Sequence, residues 1–264
     1  MNPGRFFPLV NMRDALDYNR ALAFPIRFVH MLLAPILACM TRARIGPNVW
    51  LYRCTIVIVL LLVASLFDSM LDGGHGIRGL GGDVRRELEA WQQFGGITSI
   101  VVIALVVWKM DPLGSQRIWP IVVAPVFASL LCMIVKITVG RTRPKHGDAS
   151  LILGPFGSQP VEAGGDLKLV HSWELWEKGH SELWSFPSSH TASAAAIALV
   201  LAAFYPRLRP IAWGLVAIVG FGRIATGAHF ATDVVGGAVV GLLAGMLAMR
   251  LQTQFRQTNQ AISL

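Results

Sequence analysis

Long uncharged apolar runs limit what this chain can fold into more than any other feature. Such runs occur at about 54–71, 94–110, 118–136, 190–206, 211–227 and 231–249. A hydrocarbon layer of about 30 Å takes roughly 17–25 residues of helix to cross, so each run is a candidate span. Lipid offers no partner to an open strand edge, which makes helix the expected form. The sequence therefore predicts an all-α polytopic membrane bundle of six transmembrane helices. Composition agrees: 54% of residues are hydrophobic and 14% charged, where soluble domains carry about 25% charge. Cys39, Cys54 and Cys132 all fall in apolar stretches and read as small packed side chains rather than a disulfide framework or a metal site.

A further apolar stretch, 22–40, is broken by Pro25, Arg27, His30 and Pro35 and is flanked by arginines. It reads as an N-terminal interfacial segment rather than a span. No basic, apolar and small-residue succession of a cleaved signal peptide precedes it. The expected organisation is a cytoplasmic and interfacial segment at 1–53, a six-span core at 54–249 and a cytoplasmic tail at 250–264. With the N-terminus inside, the inner segments carry thirteen basic residues against three acidic ones. Basic residues set orientation, so both termini are expected in the cytoplasm. Two loops then face outward, a glycine-rich one at 72–93 and a long one at 137–186 that holds Trp173, Trp176 and Trp184. The net charge of +8 is on this reading a topology signal and not the footprint of a nucleic-acid partner.

Ionisable residues at span ends are costly and ask for a function. Three groups stand out: Lys136 with Arg143 and Pro144, then Pro187-Ser188-Ser189-His190, then Arg223 with His229 and Asp233. The parity of the spans puts all three on one membrane face. Lys136, Arg143 and Arg223 together form a cationic pocket suited to phosphate, since guanidinium forks match its oxygens and lysine adds a point charge. Ser188 stands where a helix N-cap belongs, and free amides such as that of Ser189 also bind anions. His229 and Asp233, four apart, would share a helix face, with the carboxylate orienting the imidazole as base or nucleophile. His190 supplies a second imidazole able to protonate a leaving oxygen. Taken alone, the His and Asp pair fits a transporter's proton relay equally well. The joint spacing favours phosphoester cleavage with no metal and no cofactor.

These clusters resemble the three-part signature of the type 2 phosphatidic acid phosphatase superfamily, a family of six-span membrane phosphatases that shares its site with soluble vanadium haloperoxidases. Lys136, Arg143 and Pro144 match the first motif, Pro187, Ser188 and His190 the second, and Arg223, His229 and Asp233 the third. Ser189 stands where the family most often has glycine, and Gly222 where serine is frequent. The resemblance implies a phosphohistidine on His229 oriented by Asp233, a proton from His190, and phosphoryl oxygens held by Lys136, Arg143, Ser188, Ser189 and Arg223. It implies an enzyme of the bacterial inner membrane that hydrolyses a lipid phosphomonoester or pyrophosphate, its active site facing the periplasm. A lipid phosphotransferase built on the same site and a non-hydrolytic lipid transporter are the alternatives.

Other polar residues read more plainly. Lys109, Arg117 and Arg250 are expected as snorkelling anchors, and His30, His75, His146, His171 and His180 as loop or interface histidines. Arg141 and Lys145 either widen the cationic pocket or lie on a solvated loop. Gly237, Gly241 and Gly245 recur every four residues, which lets helices approach closely inside the bundle or, as a lesser reading, between copies. Pro120 and Pro125 are expected to bend the third span.

Overall fold

The computed structural model describes residues 47–70, 81–146, 148–163 and 166–262. The interfacial segment expected at 22–40 lies outside these residues. The chain divides into two compact units, residues 1–58 and 59–264. The described part of the first is one stretch of apolar helix with Trp50, Leu51 and Tyr52 exposed. The helices are α1 (Pro47–Met70), α2 (Gly82–Trp91), α3 (Ile97–Met110), α4 (Gly114–Val139), α5 (Ser189–Phe204), α6 (Arg209–Ala225) and α7 (Ala231–Ile262).

Four helical stretches are long and apolar enough to cross a membrane: Val49–Ser69, Gly114–Val139, Pro206–Ala225 and Ala231–Phe255. The stretches Gly82–Gly95 and Ile97–Met110, bent by 57° at their junction, make a fifth if counted as one span. The chain is thus a mostly helical, multi-pass membrane protein. The expected six differ at α5, whose 16 residues extend only about 24 Å at 1.5 Å per residue. The physical reason lies in its surroundings. From Thr191 to Ala198 every α5 residue is buried, and α4, α6 and α7 all pack against it.

Small side chains allow that enclosure. A Cβ on Gly237 would stand 2.4 Å from the Ser188 carbonyl oxygen, and one on Gly241 2.1 Å from that of Ala192. The glycine stripe of α7 thus packs inside the bundle, backbone against α5. The core continues through Ile121, Ala124, Ala128 and Cys132 of α4 with Ile197 and Val200 of α5. Pro120 and Pro125 are buried in α4, which continues as one helix through both. Cys54, in contrast to Cys132, is exposed.

Both loops contain structure that the sequence reading did not anticipate. The stretch 72–93 includes α2. The long loop carries an antiparallel hairpin of β1 (Ser158–Ala163) and β2 (Asp166–His171), in register from Ser158 opposite His171 to Ala163 opposite Asp166. Val161 and Val170 are buried, while Leu167, Lys168 and Leu169 are exposed. At the far end of the bundle, Arg117 is not a free anchor. It donates to Asp111 at 2.6 Å and lies over the rings of Phe204 and Tyr205, while the Tyr205 hydroxyl also donates to Asp111.

Candidate active site

The three sequence clusters meet at one end of the bundle, and two glycine turns help to bring them there. Gly140 ends α4 in the left-handed region, φ +57°, with its amide bonded to the Lys136 carbonyl. The chain then runs beside the segment before α5: the Arg143 amide donates to the Glu182 carbonyl and the Ser185 amide to the Arg141 carbonyl. The first two clusters are therefore stitched together by backbone. Gly227, φ +69°, reverses the chain between α6 and α7, and the Ala228 and His229 amides both donate to the Arg223 carbonyl.

His229 lies in this turn and not on a helix, contrary to the reasoning from four-residue spacing. Asp233 still reaches it because it occupies the third position of α7. There Oδ2 accepts from the Phe230 amide at 2.8 Å, the reach-back of a capping box. The same oxygen accepts from Ser185 Oγ at 2.5 Å and lies 3.5 Å from His229 Nδ1. Those contacts hold Asp233, which is fully buried, in place. Nδ1 is itself buried without a hydrogen-bond partner. Its distance exceeds a good hydrogen bond, and hydrogen bonds of this kind are often long before a ligand binds. Burial pushes the His229 imidazole down to about 4; Arg223 and Lys136 push the same way, against Asp233.

Lys136 and Arg223 act electrostatically on this imidazole, and Arg143 acts in turn on Arg223. Lys136, 7% exposed, donates from Nζ to the Trp184 carbonyl at 2.6 Å. Arg143 donates from Nε to the Ser181 carbonyl at 2.9 Å, with no protein partner for its terminal nitrogens among the described residues. Arg223 donates from Nη1 to Gln92 Oε1 at 2.7 Å, while its Nε is buried and unpartnered. The buried, unpartnered Arg223 Nε is costly unless an anion fills the space beside it. Ser188 does precede α5 as its N-cap residue, but its hydroxyl caps nothing. It is fully buried and accepts from Thr191 Oγ1 at 3.0 Å. Ser189 and His190 open α5 and are half-buried.

Several partners escaped the sequence reading. Gln92 comes from the turn before α3, and a Cβ on neighbouring Gly95 would stand 2.1 Å from the His190 carbonyl oxygen. Ser185 and Asp68 are buried. Asp68 carried a visible signal, an acid inside an apolar run. Arg141 neither widens the cationic pocket nor lies on a solvated loop. It is buried and pairs with Asp233 at 2.6 Å and Asp68 at 3.0 Å. Lys145 stays outside, paired to Glu182 at 2.8 Å. His171 and His180 are engaged separately, by the Gly157 and Glu177 carbonyls and by Trp173 and Trp184.

The chain is similar to several known proteins. Over 116 residues the chain is 30% identical to the lipid A 1-phosphatase of Rhizobium johnstonii, covering 44% of this chain and 40% of that one. Over 80 residues it is 40% identical to the undecaprenyl-diphosphatase of Bacillus subtilis, covering 29% of this chain and 40% of that one. The chain thus spans two fifths of the length of each of these relatives. The crystal structure of a transmembrane PAP2-type phosphatidylglycerolphosphate phosphatase from Bacillus subtilis aligns with 77% of this chain and 97% of its own, at 17% identity and a TM-score of 0.48. The sequence profile of the PAP2 superfamily matches residues 117–257, more than half of the chain and all three clusters, and the chain belongs to that superfamily.

Proposed function

We propose that this chain is a lipid phosphatase that hydrolyses a phosphomonoester or pyrophosphate on the outer face of a bacterial inner membrane, through a phosphohistidine and without a metal. One observation carries the reading: a buried imidazole beside a held carboxylate, His229 and Asp233, faces a cluster of cations with unused donors. In the reaction the free His229 nitrogen attacks phosphorus. The P–O bond to the lipid breaks, and the departing oxygen takes a proton from His190. Water activated by His190 then attacks the phosphohistidine, which releases phosphate and restores both imidazoles.

Lys136, Arg143, Arg223 and the Ser189 amide would hold the phosphoryl oxygens as charge builds on them. Ser188 Oγ accepts from Thr191 Oγ1, which leaves its own O–H free to donate to a phosphoryl oxygen beside the N-terminus of α5. The outer-face assignment follows from the basic residues of the expected inner segments. A lipid substrate accords with apolar helices around the site and with the names of the relatives.

The test is phosphate release by the detergent-purified chain over a panel of lipid phosphates and pyrophosphates, with and without EDTA. The proposal expects release that survives EDTA and is lost in His229→Ala. Wild-type release by His229→Ala rejects the nucleophile, and loss in EDTA rejects the metal-free route.

A further inference from the structure

Arg141 has five N–H donors, and all five are engaged. Nη1 donates to Asp233 Oδ1 and Thr232 Oγ1, each at 2.6 Å. Nη2 donates to Asp68 Oδ2 at 3.0 Å and to the Ala149 carbonyl at 2.6 Å, which also accepts from Nε at 3.2 Å. Its guanidinium also lies 4.3 Å from the centre of the Phe230 ring. No donor remains for a phosphate. Arg141 is thus a different kind of residue from Arg143 and Arg223.

Asp68, near the end of α1, closes the arrangement. Its Oδ1 accepts from the Thr232 amide at 3.1 Å, and its Oδ2 from the Thr232 hydroxyl. One guanidinium therefore serves two buried carboxylates. A lone Arg141–Asp233 pair would cancel the charge that Asp233 offers to His229. A second carboxylate on the same fork leaves net negative charge next to the imidazole. The fork also fixes rotation: with Oδ1 held by Arg141, Oδ2 is the oxygen presented to His229 Nδ1. Burying three charges is expensive and gives little stability over apolar packing, which favours a functional account.

We propose that Arg141 and Asp68 are positioning residues for the His229–Asp233 pair, acting on the nucleophile through Asp233 and not on the phosphate. The inference rests on the phosphohistidine reading of the site. It is tested by phosphate release from the full chain in detergent for Asp68→Asn, Arg141→Lys and Arg141→Gln, alone and combined with Asp233→Asn. The expected result for Asp68→Asn is a kcat lower by about 10- to 100-fold, the scale of a small misplacement of a reacting group. KM and inhibition by inorganic phosphate stay within about twofold, because the cradle is untouched. In the Asp233→Asn background Asp68→Asn causes no further loss, and Arg141→Lys retains more activity than Arg141→Gln. An unchanged kcat in Asp68→Asn, or the same fold loss with and without Asp233, overturns the proposal. So does weakened phosphate inhibition as the main effect. Should Arg141→Gln fail to fold, the nearly isosteric Asp68→Asn carries the test. If the wild-type chain releases no phosphate, the phosphatase reading fails by itself, and positioning is read from the 15N shifts of the His229 imidazole. Those shifts move in Asp68→Asn if the proposal holds and stay fixed if it is wrong.

Discussion

Arg223 of α6 and Gln92 of the turn before α3 are joined by a 2.7 Å hydrogen bond from Nη1 to Oε1. The bond aims the guanidinium across the site while Nε stays unpartnered. Gln92→Leu removes the acceptor with little change in shape, and a hydrogen bond to a charged group contributes about 1.5–3 kcal/mol. Expected is a loss of kcat/KM of about 10-fold or more with weaker inhibition by inorganic phosphate. Wild-type kinetics in Gln92→Leu would remove this residue from the site.

Asp233 caps α7 and, on the proposed mechanism, orients His229, so its loss should separate into two readouts. Asp233→Asn keeps an oxygen for the Phe230 amide but loses the charge beside the imidazole. The comparable change in a serine-protease triad costs about 10⁴-fold; a fall in kcat of at least about 100-fold is expected, with the thermal midpoint in detergent moving little. A variant that loses stability and keeps kcat would assign Asp233 to folding alone.

The pH dependence of His229 has a definite sign. Its folded pKa, about 4, lies below the ordinary 6.5, chiefly through burial. The neutral form, the one proposed to attack, therefore persists as pH falls through 6.5 and is lost only as pH approaches 4. Stability carries the same sign: present above 6.5, it declines as pH drops from 6.5 toward 4. A 15N titration of the imidazoles in detergent should show the His229 imidazole neutral at pH 5.5. Asp233 raises this pKa, so Asp233→Asn should move the titration lower still. An imidazole at position 229 that titrates near 6.5 would contradict the burial argument.

Gly241→Ala places a methyl group 2.1 Å from the Ala192 carbonyl oxygen, where backbone rather than a side chain must yield. Overpacking of this kind costs about 1–3 kcal/mol. Gly214→Ala on α6, with nothing within 4 Å of the added carbon, should be neutral or stabilising by up to about 1 kcal/mol. Thermal midpoints of the two variants in the same detergent make the comparison, and equal midpoints would contradict the close packing of α5 and α7.

The sequence reveals features that depend on period, charge and order. Apolar runs announce helices, and Lys136, His190 and His229 stand out as polar groups at run ends. The hairpin at 158–171 is less legible because few of its described residues are buried, and its length is too short to distinguish it from loop by pattern. Arg141 looks like its neighbours Arg143 and Lys145 in sequence, and burial alone separates the three. Asp68 and Gln92 lie 165 and 131 positions from Asp233 and Arg223, the residues they serve, a pairing that only the folded bundle discloses.

The enclosure of α5 has a consequence for how its residues are constrained. A helix that faces lipid can exchange one oily side chain for another, because acyl chains rearrange around either. Around α5 stand the packed side chains of α4 and, along α7, glycine backbone at distances that admit a hydrogen but not a carbon. The alanines and serines of α5 are therefore set by volume rather than oiliness. Leucine, harmless on a lipid-facing helix, would there push apart the two helix ends that hold His190 and Asp233.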